Sequence, residues 1–242
     1  MDDQKNKKSI LTLLVLFAGG FVPINLIVLS FGYAEYFKGQ TIGPKIIKAA
    51  HEFAVPYIYF LYIPAILFLI WALVYTKKNY PDLFRRIWVG LAAGAIATIG
   101  LDWIRQMGVI ESWLPGDTPS MFGKMMTGSK TFIEYYWVGT FAHYFNGANF
   151  GLVLTLVFGR YATLKKTVLV TYLWIAFIEL GMMVAPPLAP RVGLFGIRYM
   201  WPQYFLLTLA AHFVYATILG NLVYHWLKPE DNKWLLPFIL RK

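Results

Sequence analysis

Four ionisable side chains stand inside long apolar runs: Asp102, His143, Glu179 and His212. An acid or imidazole in hydrocarbon is costly, and where it occurs it pairs with a neighbour or marks a pathway. Two carboxylates and two imidazoles suit several chemistries. As a metal set they fit Fe, Mn or Zn better than Ca or Mg. The methionines and His51 extend that choice to Cu. As axial ligands, His143 and His212 suit a b-type haem. Gly147, Ala210 and Ala211 leave room for a flat ring, and Arg105, Arg191 and Arg198 could meet propionates. As acid–base groups the four suit a proton or solute pathway. As plain hydrogen-bonding partners they fix helix register, at about 0.6–2 kcal/mol each. The residues alone leave these readings open. Asn146 lies one turn from His143 and Arg105 one turn from Asp102, so both are expected to support the site by hydrogen bonds.

These residues meet only if the spans bring them to one depth. The chain has 242 residues, of which 58% are hydrophobic and 14% charged, with a mean hydropathy of +0.55. Soluble domains carry about 25% charged residues. The apolar runs exceed the ~18 residues that mark a membrane span. Six spans are expected, near 10–33, 54–75, 87–107, 135–158, 167–185 and 203–226. The fold class is therefore all-α, a polytopic membrane helical bundle forming a single membrane domain over 1–242. A two-helix N-terminal extension (9–78) precedes a four-helix unit (85–228) that carries the polar site. Pro56 and Pro64 are expected to kink the second span. At a rise of ~1.5 Å per residue, the four ionisable groups lie roughly 9–14 Å below the same face. Helices of alternating direction do not give that agreement automatically. Gly90-x-x-x-Gly94 and Gly147-x-x-x-Gly151 favour close helix contact.

Lys and Arg set the orientation. Of the 22, fourteen fall on the side of the termini and eight on the other. The positive-inside rule then puts both termini in the cytoplasm of a cell whose inner membrane holds the chain. The same rule accounts for the net charge of +10. With no basic helix or arginine-rich tract, nucleic acid is not an expected partner. The expected partners are the lipid bilayer and other membrane subunits. The first apolar run reads as an uncleaved signal anchor. Cysteine is absent, which removes disulfides, thiolate metal sites and cysteine nucleophiles. No H-E-x-x-H or G-x-S-x-G motif occurs.

The connections on the less basic side are long. The stretch from Pro44 to Phe53 suits a short amphipathic helix at the interface. Residues 108–134 and 186–202 could cap that face, their aromatics forming a belt. Glu111, Asp117 and Glu134 read as solvated.

The stretch from Phe141 to Gly151, with Ala185-Pro186-Pro187, Leu194-Phe195-Gly196 and Ala210-Ala211-His212-Phe213 running to Gly220, resembles small four-helix membrane proteins of the YagU type. The resemblance covers roughly residues 86–227. It implies the same histidines on the fourth and sixth spans, and no particular substrate or reaction. The resulting expectation is a subunit of a larger respiratory or redox complex. Its outward-facing site would use Asp102, His143, Glu179 and His212 to bind a metal or haem. An accessory subunit without cofactor and a small proton-coupled carrier are the alternatives.

Overall fold

The computed structural model describes residues 2–40 and 43–232, and every regular element among them is helical. Helix α1 covers Gln4–Phe37, α2 Pro44–Asn79 and α3 Pro81–Ile110. A shorter α4 (Thr118–Thr127) precedes α5 (Phe132–Val157), α6 (Leu164–Val184) and α7 (Gln203–Trp226). Five of these, α1, α2, α3, α6 and α7, are long and apolar enough to cross a membrane. The expected fourth span is α5, which has the length at 26 residues but not the apolarity. Its sequence carries Glu134, His143, Asn146 and Asn149, and both asparagines are buried against neighbouring helices.

Helix starts follow local chemistry. Pro44 and Pro81 open α2 and α3, where their missing N–H groups are not needed. Asp117 caps α4 by accepting from Ser120 N at 2.9 Å. Gly128, at φ 65°, ends α4 in the left-handed conformation. The amphipathic stretch from Pro44 is not a separate interfacial helix. It forms the first turns of the second span, with Ala49, Ala50 and Ala54 packed inward. Helix α1 widens into π-type turns at Phe17–Phe21 and Tyr33–Phe37, and α2 into one at Ile58–Tyr62. The turns at 17–21 and 58–62 each precede a proline, Pro23 or Pro64, which cannot donate to the carbonyl four residues back.

Helices α3 and α5 run antiparallel in close contact. A Cβ built on Gly94 would lie 2.4 Å from Gly147 O, and one on Gly151 2.2 Å from Gly90 O. Backbone therefore meets backbone with no side chain between. Thr155 Oγ1 ties the contact by donating to Arg86 O at 2.8 Å. Helix α7 runs antiparallel to α3, with Gly100 beside Ile218 and Gly108 beside Leu207. It also runs antiparallel to α6, where Gly220 meets Val168 and Thr171. Helix α6 touches α5 thinly, chiefly where Trp174 Nε1 donates to Phe150 O at 3.1 Å. The four helices thus form an arc in the order α5, α3, α7, α6, closed only loosely between its ends. Helices α1 and α2 share one core with α3 and α5, in which Val22, Leu26 and Leu69 pack with Ile87, Leu152 and Leu156. Arg85 of α3 holds the turn after α7 through a bidentate pair with Asp231, at 2.6 and 2.8 Å.

Substituting Gly94→Leu should force α3 from α5, since the new side chain would meet backbone rather than a movable group. The expected loss is about 1–3 kcal/mol or more, read as a lowered melting temperature in detergent. A wild-type melting temperature would contradict the close contact.

Candidate functional site

The glycine contact carries His143 of α5 onto Asp102 of α3, with His143 Nε2 2.8 Å from Asp102 Oδ1. Arg105, one turn on, donates through Nε to the same Oδ1 at 2.8 Å and through Nη1 to Asp117 Oδ1 at 2.7 Å. Asp117 Oδ2 accepts from the Ser120 hydroxyl at 2.7 Å as well as from its amide. The result is a continuous ladder, Asp117–Arg105–Asp102–His143, running from the start of α4 into the bundle. Arg105 is buried, and its charge is answered by two carboxylates. Because Asp102 accepts, His143 Nε2 carries the hydrogen.

A second pair lies between α6 and α7. His212 Nδ1 is 2.9 Å from Thr208 O and 2.6 Å from Glu179 Oε2. Thr208 O can only accept, so Nδ1 carries the hydrogen and aims it along the helix. Glu179 is 2% exposed, and neither of its oxygens has a well-directed hydrogen bond among the described residues. Its contact with the imidazole is one of proximity and charge. Tyr204, two turns before His212 on the same face of α7, also buries an unpartnered hydroxyl. The one polar atom of the His212 ring left without a partner among the described residues is Nε2.

The four ionisable groups do not converge on one point. They resolve into two acid–imidazole pairs, and among the described residues no three His, Asp or Glu side chains are placed to hold a metal together. Each imidazole meets the acid of its antiparallel neighbour, and the α3–α5 and α6–α7 contacts are separate. The pairs are nevertheless connected by space. His143 and His212 both line a cavity of about 1300 Å³ whose wall is otherwise mainly apolar, with Leu101, Phe150, Ile175, Ile178 and Leu207 among its lining. Tyr215 lines it too, and its hydroxyl donates to Gly147 O at 2.5 Å, holding α7 to α5.

Of the supporting residues, Arg105 takes the expected position beside Asp102. Asn146 lines the cavity but bonds neither histidine, and its buried Oδ1 has no partner among the described residues. Arg191 lines the cavity and donates to Pro115 O at 2.7 Å. Asp117 is not the solvated acid that the sequence suggests. The segment Asp117-Thr118-Pro119-Ser120 is a helix start, and that pattern was the available signal. His51 contributes at the cavity wall, its Nδ1 2.8 Å from Met125 O, and so holds α4 to α2. Comparison with protein-family models, characterised proteins and solved structures finds no match.

Burial pushes the Asp117 carboxyl up, but the Arg105 guanidinium and the Ser120 hydroxyl and amide outweigh it and hold the group below the usual carboxylate range. A depressed folded value stabilises the fold above the unfolded value, about 3.9, and the gain fades as pH falls through the folded one. Asp117→Asn keeps a capping oxygen but removes the charge that faces Arg105, and near neutral pH it should therefore cost about 1.5–3 kcal/mol, the scale of a hydrogen bond to a charged group. The gap between variant and wild-type melting temperatures should close as the pH is lowered through and below the usual carboxylate range. A gap independent of pH would contradict an ionised Asp117 in this role.

Proposed function

We propose that the chain crosses the inner membrane six times, α5 being the span added to the five apolar helices, with both termini in the cytoplasm. The α3–α5 contact along most of both helices supports a membrane position for α5. The distribution of Lys and Arg supports the orientation. In this reading the cavity opens toward the outer face, where α4 and the connections before and after it lie.

The function is the binding of a lipid-soluble small molecule in that cavity. One observation carries the reading: two acid–imidazole pairs contribute their histidines to the wall of a single, mainly apolar cavity within the helical bundle. Its volume is that of a small-molecule site or larger. The thin contact between α5 and α6 offers entry from the lipid. His212, with Glu179 behind it, supplies a polar point in the wall, Nε2 of the imidazole being available to hydrogen-bond or exchange a proton with a ligand group.

A specific feature favours one second reading. An imidazole whose Nδ1 is fixed by a carbonyl and a carboxylate while Nε2 stays available has the arrangement of a metal-ligating histidine. A haem iron on His212 would fit that, and would make the chain part of a redox assembly.

Gly181 gives a clean test. It lines the cavity, and a Cβ built there meets nothing within 4 Å. Protein purified in mild detergent and extracted for mass spectrometry should release a co-purifying lipophilic compound. Gly181→Trp should reduce its amount at least tenfold while leaving the melting temperature within a few degrees. Equal retention by the folded variant would remove the cavity from the function. An absorption spectrum with a Soret band that His212→Ala abolishes would select the haem reading instead.

A further inference from the structure

We infer that the cavity takes an anionic amphiphile, a hydrocarbon body with a carboxylate or phosphate head held at the cavity mouth. This rests on the cavity-binding reading above and names its ligand class. Four cationic side chains line the mouth: Lys48 from the first turns of α2, Lys124 from α4, Lys130 before α5, and Arg191 between α6 and α7. They come from four separate segments of the chain, so their gathering is a property of the fold and not of one basic run. None forms an ion pair with a carboxylate among the described residues. Lys124 lies over the Tyr135 ring at 4.6 Å, and Arg191 spends one nitrogen on Pro115 O. Among the described residues the only acid in the cavity lining is Asp117, which is already engaged by Arg105.

Below this mouth the wall turns apolar. Ile24, Ile27, Val28 and Phe31 of α1, Leu101 of α3, Phe150 of α5 and Ile175 of α6 line it. A cationic rim above an apolar chamber matches a molecule that is charged at one end and greasy along the rest. A neutral lipid would leave the rim unanswered, and a small free anion would leave the chamber unfilled. The charge also lies on the face with fewer basic residues, so membrane orientation does not account for it.

The test compares oleate with oleyl alcohol, which share a chain and differ in the charge of the head. Binding to the full chain is measured in neutral detergent at about pH 8 and low salt. Oleate should bind at least tenfold more tightly than oleyl alcohol, and the advantage should shrink as salt is raised. The double variant Lys124→Gln, Arg191→Gln should erase most of that advantage and leave oleyl alcohol unchanged. Gly181→Trp should abolish binding of both, and acetate should not compete. Equal binding of the two chains, blocked by Gly181→Trp, would overturn the anionic class and leave the cavity reading standing. Oleate binding that survives Gly181→Trp would put the anion outside the cavity and overturn the proposal. Competition by acetate at similar concentration would reduce the site to one for free anions and overturn it too. If neither chain binds, the proposal falls, and the co-purification experiment decides the fate of the cavity reading separately.

Discussion

The backbones of α3 and α5 touch at Gly90, Gly94, Gly147 and Gly151, and that contact sets the position of the first polar pair. With no side chains between them, His143 falls within hydrogen-bonding reach of Asp102, and Arg105 can bridge from there to Asp117. The bridge then fixes the start of α4 over the cavity. Tyr215 joins the same contact, its hydroxyl donating to the carbonyl of Gly147, which itself packs against Thr98. Close approach of helices through small residues is the usual way to gain packing energy where lipid gives no hydrophobic drive.

The two acid–imidazole pairs differ in how well they are satisfied. Asp102 receives Arg105 and His143, and the ladder continues to Asp117 and Ser120. A network of that kind holds helices in place. Among the described residues Glu179 has one close imidazole and no well-directed hydrogen bond, in nearly complete burial. Burying a carboxylate without full compensation is expensive. The under-satisfied pair, with Tyr204 nearby and Nε2 of His212 available, is therefore where a ligand group has most to gain. The polar rim and the apolar chamber lie on the route to it.

Much of this was legible in the residue pattern. The helical class, five of the six expected spans and the glycine contact follow from apolar length and small-residue spacing. The pairing of Asp102 with Arg105 follows from a separation of three on a helix. The shared depth of the four ionisable groups suggests that they face one space, and both histidines line one cavity. Depth carries no information about rotation around the helix axis, so it could not separate one four-residue cluster from two pairs. That is why the pattern suggested a single ligand set. Asp117 was misread because an acid in a connection looks solvated until Thr118 and Pro119 are taken as the first turn of a helix. The rim of Lys48, Lys124, Lys130 and Arg191 was hidden for another reason. Its members are scattered over more than a hundred positions, and only the tertiary fold brings them to one opening.

An experimental structure of the chain in lipid nanodiscs would show what the cavity holds. Elongated non-protein density is expected between α5 and α6, reaching from the Lys124–Arg191 mouth toward the His212 ring. Helices α5 and α6 packed against each other along their whole length, with the chamber closed and His212 sealed in protein, would contradict it.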